Sequence, residues 1–326
     1  MAIDHEYEAR SLSNNNASEP QPPVVVIVGP TAVGKTELSI NLAKALNAEI
    51  INADSMQLYK GMDIGTAKVP IDHRQNIPHH MLDVLNVTDT ANVAEYQEQA
   101  RAVIADIQAR GKRVVIVGGT GLFVQAILED MQFPGSDPGI RARLNQEAQE
   151  LGTLAMYERL VAIDPEAAAN ILPSNERRII RALEVIELTG EAPTTSLSIL
   201  PEIVPSIRIG LRRERPDLDH RIAVRVQAMW EQGFVAEVEK LEAIGLRDGL
   251  TASKALGYAQ ILDYLAGNIS EAEAKERTIQ ATRRYVRRQE SWFKRDSKIH
   301  WFSLAEADQS SLTADVLTYI EAEQSV

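Results

Sequence analysis

The run Val24-Val25-Val26-Ile27-Val28-Gly29-Pro30-Thr31-Ala32-Val33-Gly34-Lys35-Thr36 decides the fold. It opens on β-branched apolar residues without alternation, the pattern of a strand buried on both faces of a parallel sheet. From Gly29 it matches G-x-x-x-x-G-K-[ST] at every required position. Leu38, Leu42, Ala45 and Leu46 then recur at helical spacing, so the loop lies between a strand and a helix, as the motif demands. Glycines let such a loop curl until several backbone N–H groups converge on phosphate oxygens at a helix N-terminus. Gly29, Pro30, Thr31, Ala32, Val33, Gly34, Lys35 and Thr36 are therefore assigned to a di- or triphosphate. Lys35 brings positive charge to the terminal phosphate, and the Thr36 hydroxyl can hold Mg²⁺.

Outward from the loop, Glu49-Ile50-Ile51-Asn52 and Arg113-Val114-Val115-Ile116-Val117 read as strands, with a helix over 92–109 between them. Strands alternating with helices predict an α/β fold, a P-loop-containing doubly wound parallel sheet. The pattern changes at Pro134-Gly135-Ser136-Asp137-Pro138. From 140 to 188 every periodic stretch is helical, broken at Gly152, Asp164-Pro165, Pro173 and Gly190. A strand signal returns over 204–211. Helices follow near 217–232, 234–244, 253–265 and 270–296, then a short strand over 299–302 and a terminal helix. The reading is a core of 21–135 and 200–326, an inserted all-helical domain over 136–199, and a polar leader over 1–20 expected to be disordered.

The 326 residues carry 34 Lys plus Arg against 46 Asp plus Glu, a formal net charge of −12. Taken in bulk, that balance argues against a nucleic-acid partner. Cysteine is absent, which excludes disulfides, thiolate zinc sites and cysteine nucleophiles. The longest aliphatic run, Val24–Val28, is far too short to span a bilayer. The acid-bearing first 23 residues resemble neither a secretory signal nor a transit peptide. A cytoplasmic protein with no membrane partner is expected.

The loop usually signals ATP or GTP, yet the other parts of a nucleotide hydrolase are missing. The strand before Gly118-Gly119-Thr120-Gly121 does not end in the acid that would hold Mg²⁺. The first well-placed acid is Asp54, just past the second strand, where a doubly wound sheet opens its crevice. It suits a metal ligand, a general base or a helix N-cap, and the residues alone leave these open.

Several stretches are together distinctive. They are the loop at 29–36, the block Asn52-Ala53-Asp54-Ser55-Met56-Gln57-Leu58-Tyr59-Lys60-Gly61-Met62-Asp63-Ile64-Gly65-Thr66-Ala67-Lys68, Pro78-His79-His80, Val117-Gly118-Gly119-Thr120-Gly121-Leu122 and Arg178-Ile179-Ile180-Arg181-Ala182-Leu183-Glu184. Over residues 24–302 the chain resembles the tRNA dimethylallyltransferases. The resemblance implies transfer of a dimethylallyl group from dimethylallyl diphosphate to N6 of adenosine 37, in tRNAs that read U-starting codons. It implies that the loop holds the donor's diphosphate, with Mg²⁺ on Thr36. Asp54, Thr36 and Arg225 become the catalytic residues. Asp54, Ser55, Met56, Gln57, Thr120 and Arg141 become tRNA contacts, as do Lys254, Gly257 and Tyr258.

One segment reverses the bulk charge. Residues 275–298 hold nine Lys plus Arg and three acids, which leaves the other residues at −18. At helical spacing Arg277, Arg284, Arg288 and Arg295 fall on one line, with Arg283, Arg287 and Lys294 beside it, the footprint of an RNA backbone. Arg177, Arg178 and Arg181 form a second cluster suited to the anticodon arm. His79 and His80 lack companions for a metal site and are assigned a structural role. A monomer is expected. Rival readings are a small-molecule P-loop kinase, a prenyltransferase acting on free adenine nucleotides, and a non-catalytic RNA-binding switch.

Overall fold

The structure is a computed structural model that describes residues 21–191, 200–304 and 311–325. The expected leader, and the return from the helical block over 192–199, lie outside the described residues.

The chain runs β1 (Val24–Val28), α1 (Lys35–Ala45), β2 (Ala48–Asn52), β3 (His79–His80), α2 (Val93–Ala109), β4 (Arg113–Val117) and α3 (Gly121–Leu128). Four helices follow: α4 (Pro138–Leu151), α5 (Thr153–Ile163), α6 (Pro165–Ala169) and α7 (Glu176–Thr189). The chain then returns through β5 (Ser206–Arg212), α8 (Arg215–Glu231), α9 (Phe234–Glu242), α10 (Tyr258–Leu265), α11 (Glu271–Phe293), β6 (Ile299–Ser303) and α12 (Leu312–Gln324). The six strands form one parallel sheet in the order β3-β2-β4-β1-β5-β6. β1 is central and every residue of it is buried. Val24, Val26 and Val28 pack against α2 and α3, while Val25 and Ile27 pack against α1 and α12. Two-sided burial is why the strand reads as a continuous apolar run.

The α4–α7 block has a core of its own, built from Leu144, Met156, Leu160, Ile179 and Leu183. Three of its four helix starts are capped by side chains, while α5 begins at Gly152 without such a cap. Asp137 accepts from the Gly139 and Ile140 amides, Asp164 from Ala167 and Asn175 from Arg178. The block joins the sheet through a short stem in which Glu129 pairs antiparallel with Glu202.

Beneath the stem lies a buried charge cluster centred on Arg208, whose side chain is 4% exposed. It meets Asp296 at 2.6 Å, Glu202 at 3.0 Å and Glu129 at 3.2 Å. Removing one partner of a buried ionic cluster leaves the others uncompensated, at a cost of about 3–5 kcal/mol. Arg208→Ala is therefore expected to lower unfolding stability by about that much in a urea titration. A midpoint within error of the parent protein would count against a structural role for the cluster.

His79 and His80 form an edge strand in which His80 bonds to Glu49 and His79 to the Ile77 carbonyl, a structural placement. Residues 121–128 form α3, an element the sequence pattern left unassigned. One expectation needs correction. The helix expected over 253–265 is two pieces, because Gly257 sits at φ +85 and α10 begins only after it.

Candidate active site

The C-terminal ends of β1, β2 and β4 open into one crevice, where a doubly wound sheet puts its ligands. The loop after β1 has an outside and an inside. Lys35 Nζ donates to the Gly29 and Pro30 carbonyls at 2.9 and 2.8 Å. Arg221 Nε donates to the Ala32 carbonyl at 3.0 Å and Arg213 Nε to that of Val33 at 3.2 Å. Four carbonyls are thus held by cations, so that oxygen is kept from the concavity and amides remain for an anion. Gly34 begins α1 at φ +114, a conformation that favours glycine. Burial lowers Lys35 to about 8, with Asp54 opposing and Arg225 reinforcing the shift.

β2 delivers Asp54. Its backbone amide donates to Asn52 Oδ1, while Asn52 Nδ2 donates to the Asp54 and Met81 carbonyls. Asp54 Oδ1 accepts from the Met56 amide at 3.0 Å. That bond caps a turn rather than a helix, so the N-cap alternative is set aside. β4 delivers Thr120 through two glycines. A Cβ on Gly118 would stand 2.1 Å from the Ala53 carbonyl oxygen, which explains why glycine occupies the place of a hydrolase acid. Thr120 Oγ1 accepts from the Ser55 amide at 3.1 Å and locks the two loops together.

A cavity of about 270 Å³ lies beyond Asp54. Thr31, Asp54, Ser55, Met56, Arg225, Lys254, Tyr285 and Arg288 are in its wall. Arg225 is half-buried and donates to the Thr66 carbonyl, and burial lowers its pKa while Asp54 opposes that shift. It also borders two open grooves on the far side of the loop, both of which include Thr36. A smaller pocket holds Lys35, Thr36, Asp54 and Gln57 together. The predicted catalytic residues are therefore brought to one place.

The predicted RNA contacts divide. Arg284, Arg287 and Arg288 are exposed on α11, and the Arg288 guanidinium lies over the Tyr285 ring at 5.7 Å. Arg283 leaves the expected stripe and turns to α8, donating to the Asp219 carbonyl. Arg177 and Arg178 are exposed on α7. Arg181 and Arg141 share buried Glu184, and Arg181 also donates to the Pro134 and Gly135 carbonyls. Burial would raise the Glu184 carboxyl, but hydrogen bonds from Arg141, Arg181 and Ser136 hold it at about 2. These two arginines thus fasten the helical block, a role the sequence did not disclose. Lys254 is exposed at the cavity rim. Gly257 and Tyr258 are buried, and Tyr258 lines the same cavity from within. The Tyr258 hydroxyl donates to Glu237 at 2.6 Å, and its ring meets Phe234 edge-on.

Several supporting residues escaped the sequence reading: Arg213, Arg221, Glu237 and Gln289. Glu237 accepts from the Asp63, Ile64 and Gly65 amides, shaping the loop that carries Thr66. Gln289 had a readable signal. It falls with Thr282, Val286 and Phe293 on the buried face of α11, where an amide demands partners.

A family model described as IPP transferase matches residues 57–296. The chain belongs to the IPP transferase family. It is 59% identical over 283 residues to the tRNA dimethylallyltransferase of Thermobifida fusca, covering 85% of this chain and 89% of that one. The enzyme of that name from Streptomyces coelicolor is 51% identical over 306 residues, covering 94% and 98%. Among solved structures, the tRNA isopentenylpyrophosphate transferase of Bacillus halodurans superposes with a TM-score of 0.70 at 38% identity, covering 94% of this chain and 97% of that one. A eukaryotic dimethylallyltransferase described as acting on tRNA gives 0.78 at 27% identity, covering 91% and 77%. The family match begins after the P-loop and Asp54, which the longer pairwise matches extend over. Among the described residues no helix is long and apolar enough to cross a membrane.

Proposed function

We propose that the protein transfers a dimethylallyl group from dimethylallyl diphosphate to N6 of adenosine 37, in tRNAs reading U-starting codons. The chain is an enzyme of the tRNA dimethylallyltransferase class; the donor, the position and the codon set are the proposed part. One observation carries the reading: Arg225 stands between the Asp54 cavity and the open grooves beside the P-loop. Donor diphosphate has a cationic seat on one side, and a flipped adenine has a walled cavity on the other.

In the proposed reaction the adenine amine attacks the allylic carbon. A C–N bond forms, the C–O bond to diphosphate breaks with its electron pair, and the amine proton passes to Asp54. Adenine nitrogen is a weak nucleophile, so a carboxylate that orients the N–H and accepts its proton helps twice. Lys35, Arg225 and the loop amides meet the charge growing on diphosphate. The residues also fit Mg²⁺. Thr36 is exposed at the loop mouth, and among the described residues no three His, Cys, Asp or Glu gather into a metal cage. That matches an ion carried largely by substrate phosphates and water, which when bound would neutralise leaving-group charge. An anticodon loop suits the cavity because an unpaired base is cheap to extrude. We further propose that the protein works in the cytoplasm as a monomer.

Single-turnover incubation with labelled dimethylallyl diphosphate, Mg²⁺ and unmodified tRNA tests this. Label should appear in tRNA at adenosine 37; label in free adenine nucleotides, or phosphate transfer from ATP without RNA, would replace the reading. The basic helix has its own test. Arg284→Ala combined with Arg288→Ala should weaken tRNA binding uniformly and flatten the salt dependence by about one unit of log-log slope per lost phosphate contact. An unchanged slope would remove α11 from the RNA interface.

A further inference from the structure

Gln289 lies on the helix that carries Arg284, Arg287 and Arg288, yet its side chain points the other way and is buried. Its Oε1 accepts from the Thr31 amide at 2.9 Å. Its Nε2 donates to the Gly119 carbonyl at 2.9 Å. One carboxamide therefore ties the P-loop to the loop that ends in Thr120, and both to α11. Packing leaves little slack, since a Cβ on Gly119 would stand 2.2 Å from Nε2. Tyr285, one turn earlier, and the adjacent Arg288 line the acceptor cavity.

We propose that Gln289 is a positioning residue that makes the shape of the donor loop depend on the seating of the tRNA-binding helix. The inference rests on the function proposed above, because it takes the loop as the diphosphate site and α11 as the RNA face. Gln289 is buried and lines neither the Asp54 cavity nor the grooves beside the P-loop. By taking the Thr31 amide it fixes where the loop turns, so the concavity left for diphosphate comes from the amides that follow. A helix shift of about 1 Å would stretch both hydrogen bonds past useful length. RNA bound along the exposed arginines holds α11 in place and, through Gln289, the loop as well.

The experiment compares the parent protein with Gln289→Met, which keeps the volume and loses both hydrogen bonds. Gln289→Asn, which keeps an amide but is too short to reach, serves if the methionine variant does not fold. Inorganic diphosphate binding by calorimetry, tRNA binding by filter retention, and donor KM with kcat are measured for each. Leaving a buried amide and carbonyl unpaired should weaken diphosphate binding and raise donor KM about 10–100-fold. Binding of tRNA alone should stay within about threefold, because the phosphate-facing arginines are untouched. Gln280→Ala, an exposed change on the same helix, should alter none of these. In the parent protein, adding tRNA without donor should slow hydrogen exchange in a peptide spanning 29–36. Equal losses in tRNA and diphosphate affinity would mark a general structural role and overturn the proposal. So would an unchanged diphosphate affinity, or exchange in that peptide indifferent to tRNA. A parent protein that binds tRNA but no diphosphate would instead overturn the reading of the loop.

Discussion

Asp54→Asn is expected to lower kcat about 100–10,000-fold, the range for loss of a positioned general base, while tRNA binding stays within about threefold. The substitution keeps the side-chain volume and the oxygen that accepts from the Met56 amide, so the turn survives. What it removes is the charged oxygen proposed to accept the proton, whose contact with the adenine amine would strengthen as the C–N bond forms. An interaction made mainly in the transition state appears in kcat and kcat/KM together. Equal binding with unchanged kcat would show that Asp54 serves only the turn. Its companions support the catalytic role: Asn52 anchors the Asp54 backbone at both ends, and Tyr96 donates to the Asn52 carbonyl at 2.6 Å.

The second large effect concerns Lys35. In the proposed reaction its ammonium receives the donor's diphosphate, and burial lowers it to about 8. The sign follows. Below pH 8 the free enzyme holds a cation at the loop; as pH rises through about 8 that cation is lost. Donor kcat/KM reports ionisations of free enzyme and free substrate, so it should fall about tenfold per pH unit above that point. Bound diphosphate would pull the proton back, so kcat should hold to higher pH. Lys35→Ala should cut donor kcat/KM about 100–1,000-fold, the usual cost of one electrostatic donor to a developing anion, and abolish the alkaline limb. An identical limb in that variant would assign the titration to another group. Tyr285 is a poor candidate, since burial and the Asp54 charge push its hydroxyl up to about 12.

Bulk charge was the least useful number in the sequence. A net −12 argues against RNA, but it averages an acidic body with one cationic helix face. The structure trims that face by turning Arg283 to α8, and in the separate α4–α7 block it shares Arg141 and Arg181 with Glu184. Local net charge therefore overstates the number of cations free for a phosphate backbone.

The parallel sheet, the loop and the break into a helical block were legible because each depends on neighbours in sequence. A β-branched run, a glycine spacing and a capping residue act over a few positions, and the chain states them directly. Asp54 was legible as a residue at a strand end, though its role was not. The partners of the loop carbonyls were hidden, since Arg213 and Arg221 stand 180 and 189 residues from Val33 and Ala32 respectively. Arg225 illustrates the same limit: on its helix alone it is an ordinary charge, and packing of α8 against the loop turns it inward. Gln289 reaches Thr31 across 258 positions. Local physics set the elements in the chain, whereas the electrostatics of the site came from side chains that only folding brings together, and whose burial gives them their strength.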